Sequence, residues 1–203
     1  MMEVDERVGV AAIGFSGEEL REYVLDPAKG LGLICDAIEK TMVKNEDRPK
    51  SAALLAVSID NMRSITDLFG PEIVDPVFVD LNRRMRDCLR ASDVIARLGD
   101  DQLGIVLPYF RFNGAAIALK RILALRSKPV STHYGLIDLK LSVATVLFPD
   151  ENLISANVIT RAQATIAYNQ NRKEDTLELT RSVRERINSL RFDANQHFQN
   201  ASS

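Results

Sequence analysis

Residues 96–108 read ARLGDDQLGIVLP. Short apolar runs flank a Gly-Asp-Asp bend, which is where an extended chain reverses. The stretch is expected to form a hairpin, with one strand over Val94–Leu98 and a second over Leu103–Leu107. A hairpin is antiparallel, and helical periodicity lies on both sides of this one. The pattern predicts an α+β fold: a two-layer sandwich with a central, mostly antiparallel sheet flanked by helices.

Outward from the hairpin, AALLAVSID at 52–60 reads as a buried strand. Alternation places Leu54, Ala56, Ser58 and Asp60 on one face and Leu55, Val57 and Ile59 on the other. A helix follows over Met62–Leu68 and ends at Gly70-Pro71. Between 73 and 90, Val74, Val77, Leu81, Met85, Cys88 and Leu89 recur at helical steps, with Pro76 tolerated in the first turn. Asn113 is positioned to cap a helix reaching about Arg126. Strand material returns in LIDLKLSVATVLF, and Ser155 is positioned to cap a helix to about Asn169. Upstream, Ser16 with Glu19 forms a capping-box pattern for a short helix, and a second helix spans Leu31–Val43. The tail over Thr176–Phe198 reads as a polar helix. Its Val183, Ile187, Leu190 and Ala194 suit packing on the same domain, or a dimer seam. The domains are therefore an N-terminal helical extension (1–25), a central domain (26–172) and a C-terminal helical extension (173–203).

A net charge of -2 removes the overall basic field that non-specific nucleic-acid binding needs. The two cysteines, Cys35 and Cys88, sit among apolar neighbours and form no C-x-x-C pair. Two distant histidines supply no zinc site. The acidic start and short apolar run Val8–Phe15 fit neither a signal peptide nor a membrane span, so a cytoplasmic protein without membrane association is expected.

The hairpin segment DVIARLGDDQLGIVLP resembles the signature of the GGDEF domain, the diguanylate cyclase family. LDPAKGL at 25–31 is similar to that family's Asp-x-Leu-Thr-Gly-Leu motif. VSIDNMRSITDLFG at 57–70 is similar to its Asp-x-Asp-x-Phe-Lys-x-Ile-Asn-Asp-x-x-Gly run, and LSVATV at 141–146 to its Thr-Val-Ser-Ile-Gly-Val strand. The resemblance covers about 26–172 and implies a ferredoxin-like core that joins two GTP into cyclic di-GMP.

Set against that pattern, the chain departs at most of the chemical positions. The first metal-binding Asp is Ser58; Asp60 lies on the same face, roughly 6–7 Å further along. The signature reads Gly99, Asp100, Asp101, Gln102, Leu103. Asp100 thus brings a side chain and a negative charge where glycine admits phosphate. The Lys and Arg that countercharge the triphosphate correspond to Gln170 and Glu174, with Arg172 or Lys173 as substitutes if the register shifts. The guanine-reading pair corresponds to Thr66 and Asp75. Phosphoryl transfer depends on positioning and charge neutralisation. No catalytic residue, metal or cofactor is therefore assigned, and these positions are read as a vestigial active site.

Upstream, Arg90 and Asp93 form Arg-x-x-Asp, six residues before Gly99. The resemblance implies an inhibitory-type site for cyclic di-GMP there, separate from the active site, with Arg83, Arg84 or Arg86 as a source of a second arginine. Each residue also suits an ordinary role: Arg90 at a helix C-terminus, Asp93 at a strand entry, and Gly99-Asp100 as hairpin chemistry. Three functions follow in order: a catalytically inactive cyclic di-GMP receptor, a nucleotide-independent interaction or dimerisation module, and a residual cyclase using Asp60 and Asp101. A protein partner or homodimer is expected in the first two.

Overall fold

A computed structural model describes residues 17–43, 51–110, 114–148 and 154–172. Ser16, Asn113 and the 176–198 tail lie outside them. The chain begins with α1 (Gly17–Leu25) and α2 (Pro27–Val43). Between them the Asp26 carboxylate accepts the N–H groups of Ala28 (2.8 Å) and Lys29 (3.2 Å). Asp26 is thus the N-cap and Pro27 the first helical residue, so α2 begins four residues before the expected Leu31.

The central strand β1 (Ser51–Ile59) leads to α3 (Met62–Phe69), a short 3₁₀ turn, and α4 (Val74–Arg86). The helix expected over 73–90 ends early, although Cys88 and Leu89 still pack partly buried against the core. Then come β2 (Val94–Arg97) and β3 (Gln102–Phe110), the hairpin of the opening stretch, followed by α5 (Gly114–Leu123). The sheet order is β2-β3-β1-β6, with β6 over Leu141–Phe148, and every pairing is antiparallel. In β1, Leu55 lies opposite both Ile105 and Thr145.

Two features depart from the expected elements. LIDLKLSVATVLF is not one strand: β4 (Val130–Thr132) and β5 (Gly135–Ile137) make a separate small hairpin. Gly135 turns it with φ of 109°, which glycine adopts without a Cβ clash. The Asn61 side chain then holds the connection to β6, donating to the Asp138 carbonyl and accepting the Lys140 N–H. Ser155 opens α6 (Ser155–Arg172) but does not cap it; its hydroxyl donates to Glu39 on α2 at 2.7 Å. That bond joins two helices, an outcome local spacing does not reveal.

Alternation in β1 divides the interior as expected. Leu55, Val57 and Ile59 join Val77, Phe78 and Leu81 of α4 and Leu119 and Ile122 of α5. Leu54 and Ala56 join Ile34 and Ile38 of α2 and Val158, Ala162 and Ile166 of α6. Helices thus cover both faces of the antiparallel sheet, so the layers run helix, sheet, helix. Val24 of α1, 1 % exposed, belongs to the first cluster and ties α1 to this body.

The α2–β2 contact depends on one glycine. A Cβ on Gly30 would lie 2.2 Å from the Arg97 carbonyl oxygen and 2.6 Å from that of Tyr23. At Gly32, on the same helix, nothing lies within 4 Å of such a Cβ. Opposite effects are expected in urea unfolding. Gly32→Ala gains about 0.5–1 kcal/mol from helix propensity. Gly30→Ala loses about 1–3 kcal/mol, because the added methyl meets backbone.

Candidate functional site

The C-terminal end of β1 opens onto a cleft of about 670 Å³. Asp60, Thr66, Gly99, Asp100, Asp101 and Gln102 all line it, so six of the residues that the resemblance assigned to one site are brought together. Two others meet behind its wall. Ser58 is fully buried, and Gln170 reaches it from α6: the Gln170 Nε2 donates to Ser58 Oγ (3.0 Å) and to Asp60 Oδ1 (2.8 Å). Ser142 of β6 donates to the other Asp60 oxygen at 2.7 Å. Alternation explains the meeting, since Ser58 and Asp60 share the face that α6 covers and Ser142 lies opposite Ser58. Asn169 reinforces it by donating to the Val143 carbonyl. Gln170 thus reaches the end of β1 from α6.

The remaining positions diverge. Thr66 spends its hydroxyl on the Met62 carbonyl one turn back. Asp75, in the first turn of α4, lies outside the cleft lining, though its charge acts on Arg97. Gly99 has no positive φ, and nothing lies within 4 Å of a Cβ built on it. The stretch forms the expected hairpin, but its turn does not use a positive φ at Gly99. The strands are joined by four residues closed by the Leu98 N–H on the Gln102 carbonyl. Gln102 Oε1 is buried without a hydrogen-bond partner.

Arg97, missed in the sequence, holds the turn. Its guanidinium donates to the carbonyls of Gly99 (2.9 Å), Asp100 (2.9 Å) and Leu25 (3.1 Å), and sits 4.1 Å over the Phe78 ring. It is 6 % exposed, and burial pulls its pKa down. The cleft itself is acidic. Asp101 is pushed above the usual carboxylate range first by burial, then by Asp100 and Asp60.

Arg90 and Asp93 share a second cavity of about 240 Å³, and Arg121 of α5 lines it as well. Arg121 thus stands beside Arg90, where the sequence had offered Arg83, Arg84 or Arg86. The three on α4 are committed elsewhere: Arg83 and Arg84 to Asp80, and Arg86 to the carbonyls of Asp93 and Ile95. Burial lowers the Arg86 pKa to about 10. The i, i+4 spacing of Ile117 and Arg121 on an exposed helix face was a legible signal, but what that face borders was not. Asp93 is 5 % exposed, and its Oδ2 accepts the Arg90 N–H at 2.8 Å. Burial raises its pKa against the opposing pull of that hydrogen bond and of the Arg90 charge.

Comparison with known proteins follows this geometry. A family model described as "Diguanylate cyclase, GGDEF domain" matches residues 33–191. The chain is 33 % identical over 88 residues to the probable diguanylate cyclase DgcC of Escherichia coli, covering 41 % of this chain and 24 % of that protein. It spans at most about a quarter of the length of the first curated relatives it matches. Among solved structures, it is similar to the GGDEF domain of PA1120 from Pseudomonas aeruginosa. There the TM-score is 0.65 at 22 % identity, over 70 % of this chain and 89 % of that one. The GGDEF domain of DgcB from Caulobacter crescentus, in complex with c-di-GMP, aligns with TM-score 0.59 at 15 % identity, over 71 % and 84 %. Among the described residues no helix is long and apolar enough to cross a membrane, and no group of three His, Cys, Asp or Glu could hold a metal ion.

The raised pKa values of Asp101 and Asp93 set a pH dependence. The native chain keeps protons that the unfolded chain has released. Stability therefore falls as pH rises from the usual carboxylate range through the raised values. Asp101→Asn cannot ionise, so it loses less stability than wild type between about pH 4 and about pH 7 in denaturant titrations. Parallel losses would show that the Asp101 charge is not disfavoured in the fold.

Proposed function

Because the chain belongs to the GGDEF family of diguanylate cyclases, we propose that it is a member without catalysis that receives cyclic di-GMP through Arg90 and Asp93. The observation that carries the first half is the bonding of Asp60. Both its oxygens accept hydrogen bonds, from Ser142 and Gln170, and the Ser58 hydroxyl is engaged by the same amide. Magnesium needs several hard oxygens in near-octahedral array. Here a neutral amide stands among the acceptors, and Asp101 is the carboxylate left beside them. These residues do not fit a magnesium–nucleotide unit, so no catalytic step is routed through one.

Charge points the same way. Asp60, Asp67, Asp100 and Asp101 line the cleft against Arg63 and Arg97, and Arg97 is committed to carbonyls. A triphosphate would enter a site of its own sign. The second cavity is different, since it holds Arg90 and Arg121 with a single carboxylate. Guanidinium groups fork onto phosphate oxygens with two parallel bonds. In this reading the protein is a cytoplasmic signalling element that passes ligand occupancy to a protein partner or a second copy. The engagement of Asp93 by its own loop favours one other reading, an interaction module that binds no nucleotide.

Calorimetry separates them. Wild type is expected to bind cyclic di-GMP, and Arg90→Ala to weaken it by about tenfold or more, the worth of a charge-assisted bond. No binding by wild type leaves the interaction module. Incubation with GTP and Mg²⁺ or Mn²⁺ is expected to yield no cyclic di-GMP. Turnover that disappears in Asp101→Ala would restore the cyclase reading.

A further inference from the structure

Two backbone segments far apart in sequence meet at Arg97, and its guanidinium holds both. Nη1 donates to the carbonyl of Leu25, the last residue of α1 (3.1 Å). Nε and Nη2 donate to the Gly99 and Asp100 carbonyls of the turn that lines the cleft (2.9 Å each). The backbone of Arg97 is held independently of these bonds. It pairs with Leu103 in the β2–β3 hairpin. α2 packs against it at Gly30, where a Cβ would lie 2.2 Å from the Arg97 carbonyl oxygen and 2.8 Å from its nitrogen.

A helix leaves its last four carbonyls without partners inside the helix, and that of Leu25 is one of these. A guanidinium is a planar fork, so its donors cannot be re-aimed one at a time. Arg97 is 6 % exposed, so water does not readily replace a lost carbonyl, and a buried charged donor left unpaired is costly. When α1 shifts, the guanidinium must follow it or lose a bond. With the Arg97 backbone held, following α1 means leaving the Gly99 and Asp100 carbonyls. We infer that Arg97 couples α1 to the cleft turn: a displacement of α1 loosens the turn at Gly99 and Asp100, and a change at the turn loosens α1. The coupling does not depend on which ligand the chain takes. It provides a route by which a partner that engages the exposed face of α1, where Arg21 and Glu22 lie, alters the shape of the cleft.

Amide hydrogen exchange on the full chain, read residue by residue by NMR, tests this. The Leu98 N–H, bonded to the Gln102 carbonyl, reports on the turn. The Ala144 N–H of β6, opposite Ala56, reports on the sheet away from it. Arg21→Pro breaks α1 at an exposed position, because proline removes a helical N–H and clashes with the preceding turn. It is expected to raise the exchange rate of Leu98 relative to Ala144 by about tenfold or more, the worth of a charge-assisted bond. Arg97→Lys keeps the charge but not the fork. In that background Arg21→Pro should change the ratio by less than about threefold. A ratio that Arg21→Pro leaves unchanged in the wild-type background overturns the coupling. The same tenfold rise in the Arg97→Lys background also overturns it, because the effect then travels without the guanidinium. Should Arg97→Lys fail to fold, the ratio in the wild-type background still decides.

Discussion

Everything in this fold is placed by β1, a strand hydrogen-bonded on both edges and buried on both faces. From Ala52 to Ile59 every residue is buried, so no slip of register is tolerated; a one-residue shift would exchange the two cores and carry Ser58 to the opposite face. Helices lie on each side because each face is apolar. The cleft forms where β1 leaves the sheet, at Asp60 just past the strand, which Gln170 of α6 bonds.

At that junction, side chains from three elements bond to one another. Ser58, Asp60, Ser142 and Gln170 join β1, β6 and α6 through neutral donors and one carboxylate. A buried polar group costs stability unless it is bonded, and here each finds a partner inside the chain. The same bonds leave little for a ligand. Arg97 does comparable work on the other side of the cleft. It is a buried cation balanced by three carbonyls and an aromatic ring rather than by an ion pair, and it fastens the α1–α2 junction to the turn. Its backbone in turn is what Gly30 makes room for.

The two cavities differ in what they leave unsatisfied. In the cleft, burial and then the neighbouring carboxylates raise the pKa of Asp101; in the smaller cavity, Arg90 and Arg121 lie beside an already bonded Asp93, with no side-chain partner among the described residues. Like charges thus gather in the first and two cations in the second.

Local pattern was enough for much of this. Alternation in 52–60 determined both faces of β1. The Gly-Asp-Asp bend marked the hairpin, Gly70-Pro71 marked the end of α3, and three- and four-residue spacing determined most of α4. Short-range chemistry that was present but unread includes Asp26-Pro27 at the start of α2 and Gly135 in the small hairpin. Other features required the folded chain. Ser155 meets Glu39, Gln170 meets Asp60, Arg97 meets Leu25 and Arg121 joins Arg90, and each pair is far apart in sequence. Secondary structure arises from the periodicity of near neighbours, so the residues carry it with them. A site arises from which distant side chains share a wall, and only the packing of helices on both faces of the sheet decides that.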